Sequence, residues 1–137
     1  MSLDPVRIAD TRAWLEKARL DIGAGQADMV VDPPFYGDAM FHAQQAAEKA
    51  LKGFLTWHEC PFRKTHDLRE LLGQCCEIDS SLQYLQEHAD TLTPYAWVFR
   101  YPGEPEEPGR DEADEALSLV REIFDAILLR LPVEVRP

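Results

Sequence analysis

Four polar side chains follow one another at helical spacing in the most strongly patterned part of the sequence. They are His42, Gln45, Lys49 and Lys52, at steps of three, four and three residues. Residues three and four apart lie on the same face of an α-helix, so these side chains would form one stripe. One imidazole and two ammonium groups along a face can bind a phosphate group. The alternative is a solvated face in which Glu48 pairs with Lys52.

Two other places in the sequence could contribute to an anion site. His66 stands just before a predicted helix N-terminus, where free backbone amides and the helix dipole favour negative charge. Arg100 and Tyr101 lie beside a loop, where a guanidinium and an aromatic ring can contact a phosphate or a base. The competing interpretations are a capping role for residues 65–67 and an arginine stem packed with a tyrosine.

Five helices are predicted to position these residues. Apolar periodicity, capping residues and prolines place them at about residues 5–26, 35–58, 68–75, 82–92 and 111–131. Asp111 is the predicted cap of the fifth helix, and Pro94 should interrupt the chain after the fourth. Alanines along the apolar side of the second helix imply that a neighbouring helix approaches closely. We therefore expect an all-α, up-and-down bundle of four to five helices.

Size and charge narrow the classes of function. The 137 residues are predicted to form one domain over residues 1–137, with a loop rich in proline and glutamate at 101–110. Fourteen basic and 25 acidic residues give a net charge of −11, which argues against broad binding to a nucleic-acid backbone. A few bases concentrated in one cleft remain compatible with this charge.

Several other chemistries have no support in the sequence. The three cysteines lack CxxC spacing, and no HxxxH or HExxH pattern occurs, so neither disulfides nor a metal site is predicted. Phosphate-binding glycine loops and the GxSxG pattern are also missing, so no cofactor is expected. Without a signal sequence or a long apolar run, the expectation is a cytoplasmic protein that does not enter a membrane.

Three segments together resemble a known family. In chain order they are FHAQQAAEKALKGFL at 41–55, THDLREL at 65–71 and FRYP at 99–102. Their order and separations are similar to those of the HEPN domain of bacteria and archaea. The resemblance implies a bundle of four or five helices that often forms a two-fold homodimer. It also implies a frequent partner, a minimal nucleotidyltransferase, in a toxin-antitoxin pair.

The resemblance also implies a class of ligand for this protein. Many HEPN proteins are metal-independent ribonucleases, so a nucleotide or RNA is implied, with His42, Lys49, His66, Arg100 and Tyr101 as ligand-facing positions. The ribonuclease pattern places a histidine four to six residues beyond an arginine late in the bundle. No histidine follows Arg100 in this sequence, so the nuclease activity is not carried over.

Three functions follow from the sequence. The leading hypothesis is a nucleotide- or RNA-binding module with little or no catalysis, working with a nucleotidyltransferase partner. The second is a ribonuclease toxin that uses His42 or His66 with Arg100. The third is an adaptor whose lysines 49 and 52 meet acidic groups of a protein partner.

Overall fold

Over the residues it describes, 4–103 and 106–137, the computed structural model contains helices and no strands. The five α-helices are α1 (Pro5–Val30), α2 (Tyr36–Trp57), α3 (Leu68–Ile78), α4 (Gln86–Leu92) and α5 (Arg110–Leu129). Short 3₁₀ segments lie at Ser80–Leu85, Thr93–Ala96 and Val133–Val135. The predicted all-α fold is therefore confirmed. None of the helices described is both long and apolar enough to cross a membrane.

Capping side chains define several helix ends as expected. The Asp4 carboxylate accepts a hydrogen bond from the Val6 amide at 2.9 Å, and proline follows at the first helical position. Asp67 caps α3 in the same way through the Arg69 amide. Asp79 caps the 3₁₀ segment that leads into α4, and the chain leaves α-helical geometry near Pro94.

Several predicted helix bounds are wrong by a few residues. Helix α3 runs to Ile78 instead of about residue 75, and α4 begins at Gln86 instead of about residue 82 because a 3₁₀ segment precedes it. Helix α1 continues past residue 26 to Val30, because no helix-breaking residue occurs before Pro33 and because Met29 gains burial in the core. Helix α5 begins at Arg110 after a Gly109 cap, so Asp111 lies in the first helical turn. A carboxylate is favourable there as well, because the helix dipole attracts negative charge. Within the predicted 101–110 loop, residues 104 and 105 lie outside the described part of the chain.

Helix α2 is the centre of the bundle and packs against α1, α3, α4 and α5. Its predicted apolar arc is confirmed, since every member is at most 1% exposed. The arc consists of Ala39, Met40, Ala43, Ala47, Ala50, Leu51 and Phe54. Other positions around the helix are also buried, among them Gln44 and Glu48. A helix covered on most sides must satisfy its polar side chains within the protein.

The antiparallel pair α1 and α2 approaches closely where side chains are small. A Cβ placed on Gly25 would lie 3.3 Å from the Ala39 carbonyl oxygen. At the other end of the pair, a Cβ on Gly53 would lie 3.0 Å from a methyl group of Leu15. The close approach expected from the alanines of α2 is confirmed, with glycines of both helices contributing. This contact brings the polar side chains of α2 within reach of the acidic residues of α1.

Candidate functional site

The polar stripe of α2 is divided between two clusters of paired charges. The first, called here the Asp21 cluster, joins Asp21 of α1 to His42 and Lys49. His42 Nδ1 lies 2.9 Å from Asp21 Oδ1, and Lys49 Nζ lies 2.5 Å from Asp21 Oδ2. Burial alone would raise the pKa of Asp21, but the hydrogen bonds from His42 and Lys49 outweigh it and lower that pKa. The Lys49 ammonium is therefore already paired with a carboxylate.

The second group, called the Glu48 cluster, contains Gln44, Glu48, Lys52 and His66. Glu48 accepts from Lys52 Nζ at 2.9 Å and lies 2.7 Å from His66 Nδ1. Gln44 donates to the His66 carbonyl oxygen at 3.0 Å, which ties the start of the α3 segment to α2. Glu48 and Lys52 are only 5% and 7% exposed. The Glu48–Lys52 pairing that the sequence left as an alternative is what the structure contains.

Aromatic rings cover the Lys52 ammonium further. Its Nζ lies 5.6 Å from the Trp14 ring centroid and 5.7 Å from that of Phe62. Gln45 lies between the two clusters and donates to Gln44 Oε1 at 2.7 Å. Neighbouring elements cover this side of α2, so the Lys52 ammonium faces Glu48 and two aromatic rings within the protein.

A cleft at the N-terminal end of α2 has the predicted basic residue Arg100 on its wall. It has a volume of about 420 Å³ and is called here the Arg100 cleft. Its walls include Pro33, Phe35, Tyr36, Asp38, Phe99 and Arg100. The Arg100 guanidinium lies 3.8 Å from the centroid of the Phe41 ring, and its Nη1 donates to Asp38 Oδ1 at 3.1 Å. The side chain of Arg100 is still 39% exposed.

One exposed aromatic ring lines this cleft, and two others lie close to Arg100 in the sequence. Phe35 lies on its wall, while Trp97 and Tyr101 flank Arg100 in the sequence, and all three are at least half exposed. Such rings can stack on bases. Of the predicted site residues, the structure brings together His42 with Lys49, through Asp21, and Lys52 with His66, through Glu48. Arg100 and Tyr101 are neighbours in the sequence.

Three functional candidates escaped the sequence analysis, namely Asp21, Asp28 and Asp38. Burial, together with the adjacent Asp38 carboxylate, raises the pKa of Asp28 to about 6. A hydrogen bond with Asp21 raises the pKa of His42, burial opposes this, and the Asp38 charge adds to it. Asp38 and His42 are four residues apart on one helix, which is the only local signal the sequence offered. Asp28 comes from α1 and could be placed only by the fold.

The HEPN domain family model matches residues 11–131, nearly the whole helical bundle. The chain belongs to the HEPN family. The segments that carried the resemblance occupy three places in this HEPN fold: the body of α2, the N-terminal end of α3 and the wall of the Arg100 cleft. No curated protein matches the chain.

Two solved structures are similar to this HEPN protein. TT1696 from Thermus thermophilus is 31% identical, with a TM-score of 0.77 over 88% of this chain and 98% of that one. ST0689, described as an archaeal HEPN homologue, is 23% identical, with a TM-score of 0.69 over 88% of this chain and 96% of that one. At 23% identity, the similarity to ST0689 shows a shared fold only.

Proposed function

We propose that this HEPN protein binds a nucleotide or the end of a single-stranded RNA in the Arg100 cleft. It would do so as the partner of a minimal nucleotidyltransferase in a toxin-antitoxin-like pair. The observation that carries the proposal is the Arg100 guanidinium, which is partly exposed on the wall of a cleft beside aromatic rings. Arg100 also pairs with one carboxylate, but Lys49 and Lys52 are more deeply buried in their pairs, so the lysines of α2 contribute less.

Arg100 is suited to a phosphate group. Stacking over Phe41 and the bond to Asp38 fix the plane of its guanidinium. Among the described residues only its Nη1 has a hydrogen-bond acceptor, so the remaining donors of the fork are available for a phosphate. A guanidinium whose position is already fixed by its neighbours loses little conformational entropy when it binds an anion.

The exposed rings of Phe35 and Tyr101 are suited to a base. Stacking of a base on an aromatic side chain contributes about 1–3 kcal/mol and tolerates any base identity. One guanidinium and one or two rings match a mononucleotide or a strand end. They do not match a long duplex, which the net charge of −11 also disfavours.

The proposed protein partner and a homodimer rest on family membership. The acidic surface of this chain would complement a basic nucleotidyltransferase, and charge complementarity mainly sets association rate and specificity. A homodimer would follow a two-fold axis, as most small oligomers do. Both assemblies are part of the proposal.

Thermal unfolding with added ligands tests the proposed binding. With a ligand at about 100 times its Kd, mass action should stabilise the protein by about 2.7 kcal/mol. We expect adenine nucleotides or short single-stranded RNAs to raise the Tm of the wild type, and Arg100→Ala to abolish the rise. Arg63→Ala is the matched control, because Arg63 is an exposed arginine paired with Glu70 beyond the opposite end of α2.

Three outcomes would count against this function. A rise in Tm that survives in Arg100→Ala would place the ligand elsewhere. No rise with any ligand would favour the protein adaptor. Cleavage of the RNA during incubation, lost in His42→Ala or His66→Ala, would favour the ribonuclease.

A further inference from the structure

Three potential metal ligands from two helices converge beside the Arg100 cleft. Asp28 comes from the last turns of α1, and Asp38 and His42 come from successive turns of α2. One ligand atom of each lies within 4.8 Å of the other two. Opposite ligands of a cation with bonds of about 2.1 Å are about 4.2 Å apart, so a small inward movement would bring all three into coordination.

The orientation of His42 is that of a metal-binding histidine. Its Nδ1 faces Asp21 at 2.9 Å, which leaves Nε2 directed to the Asp38 side, 3.3 Å from Asp38 Oδ2. Histidines that bind metals usually donate their other ring N–H to a carboxylate, which fixes the ring and its tautomer. Asp21 is itself held by Lys49 Nζ. The Asp21 cluster therefore acts as the outer support of the three ligands.

The charges around these ligands leave one carboxylate without a counter-ion. Lys49 neutralises Asp21, and Arg100 neutralises Asp38. Asp28 has the carboxylate of Asp38 as its close neighbour, and its Oδ2 is shielded from solvent with no hydrogen-bond partner among the described residues. A buried oxygen without a donor is costly, and a cation at this point would satisfy it.

We propose that Asp28, Asp38 and His42 bind one divalent transition-metal cation of the Mn²⁺ or Zn²⁺ type. Two carboxylate oxygens and an imidazole nitrogen form a ligand set that such cations accept. Three protein ligands leave at least one coordination position open. Asp38 also lies on the wall of the Arg100 cleft, so this open position would lie near the cleft. If the proposed nucleotide binding holds, a phosphate oxygen is the natural group to occupy it.

Titration of the purified full chain with Mn²⁺, after dialysis against a chelator, tests this site. Electron paramagnetic resonance of the free Mn²⁺ should show one saturable site in the wild type. Asp28→Asn keeps the shape of the side chain and removes its charge, and it should weaken binding by about tenfold or more. Asp32→Asn is the matched control, because Asp32 is an exposed aspartate four residues further along the chain, in the α1–α2 connection. This control should bind Mn²⁺ as the wild type does.

Circular dichroism shows whether each variant is folded. If Asp28→Asn does not fold, His42→Gln is used in its place. The proposal is overturned if the wild type shows no saturable site below about 1 mM, the weak limit of protein sites for divalent cations. In that case a proton shared among Asp28, Asp38 and His42 compensates the negative charge of Asp28. Equal loss of binding in Asp28→Asn and Asp32→Asn would also overturn it, since diffuse attraction to an acidic surface would explain both. The titration contains no nucleotide, so its failure is separate from failure of the nucleotide proposal.

Discussion

Replacing Glu48 with alanine should lower the free energy of unfolding by about 3–5 kcal/mol, the usual effect of removing one partner from a buried ion pair. Lys52 would remain buried with its charge uncompensated, since Glu48 is the carboxylate that it contacts. The change would also remove the acceptor facing His66 Nδ1 at 2.7 Å. Urea unfolding followed by circular dichroism measures the loss. Small domains are stable by only about 5–15 kcal/mol, so this is a large fraction of the total.

Two further variants separate a buried charge from general damage. Glu16→Ala breaks an exposed glutamate–arginine pair on α1 and should cost far less. Adding Lys52→Met to Glu48→Ala should recover part of the stability, because no charge is then left buried. An effect of Glu48→Ala no larger than that of Glu16→Ala would show that solvent reaches the Glu48 cluster.

Phe54→Ala should have a comparable effect, a loss of about 3–5 kcal/mol. Phe54 is 1% exposed in the last turn of α2, and its ring packs at 4.5 Å, centroid to centroid, against that of His58. Truncation removes the transfer free energy of the ring and leaves a cavity that helices on several sides cannot close. Urea unfolding again gives the difference.

The control for this truncation is Phe35→Ala, which removes the same atoms from a site that is 55% exposed. Surface substitutions usually change stability by about 0.5 kcal/mol or less, so the two variants should differ several-fold. Similar losses for both would mean that α2 is not the centre of the core.

The fold could be predicted because its signals are local. The apolar period of α2, the caps Asp4, Asp67 and Asp79, and the interruption at Pro94 are each contained within a few residues. The end of α1 was misplaced because its last turns carry no stop signal and are held by burial of Met29, which depends on tertiary packing.

The candidate site was less accessible to sequence reasoning. A helical period shows which residues share a face, but it does not show what covers that face. The spacing put Lys52 on a candidate anion-binding stripe and left open whether it pairs with Glu48. In the structure Lys52 contacts Glu48 and lies near the rings of Trp14 and Phe62. Asp28 meets Asp38 only through the antiparallel packing of α1 and α2, a contact that no spacing within either helix reveals.

The most direct test of the proposed function is a two-dimensional ¹H–¹⁵N NMR titration of the labelled chain with an adenine nucleotide and with a short single-stranded RNA. Binding in the Arg100 cleft predicts that the largest amide shift changes fall at residues 35–38 and 99–101, on both walls of the cleft. Changes concentrated around Lys52 and His66, at the far end of α2, would contradict this location. A spectrum unchanged at saturating ligand would contradict nucleotide binding itself.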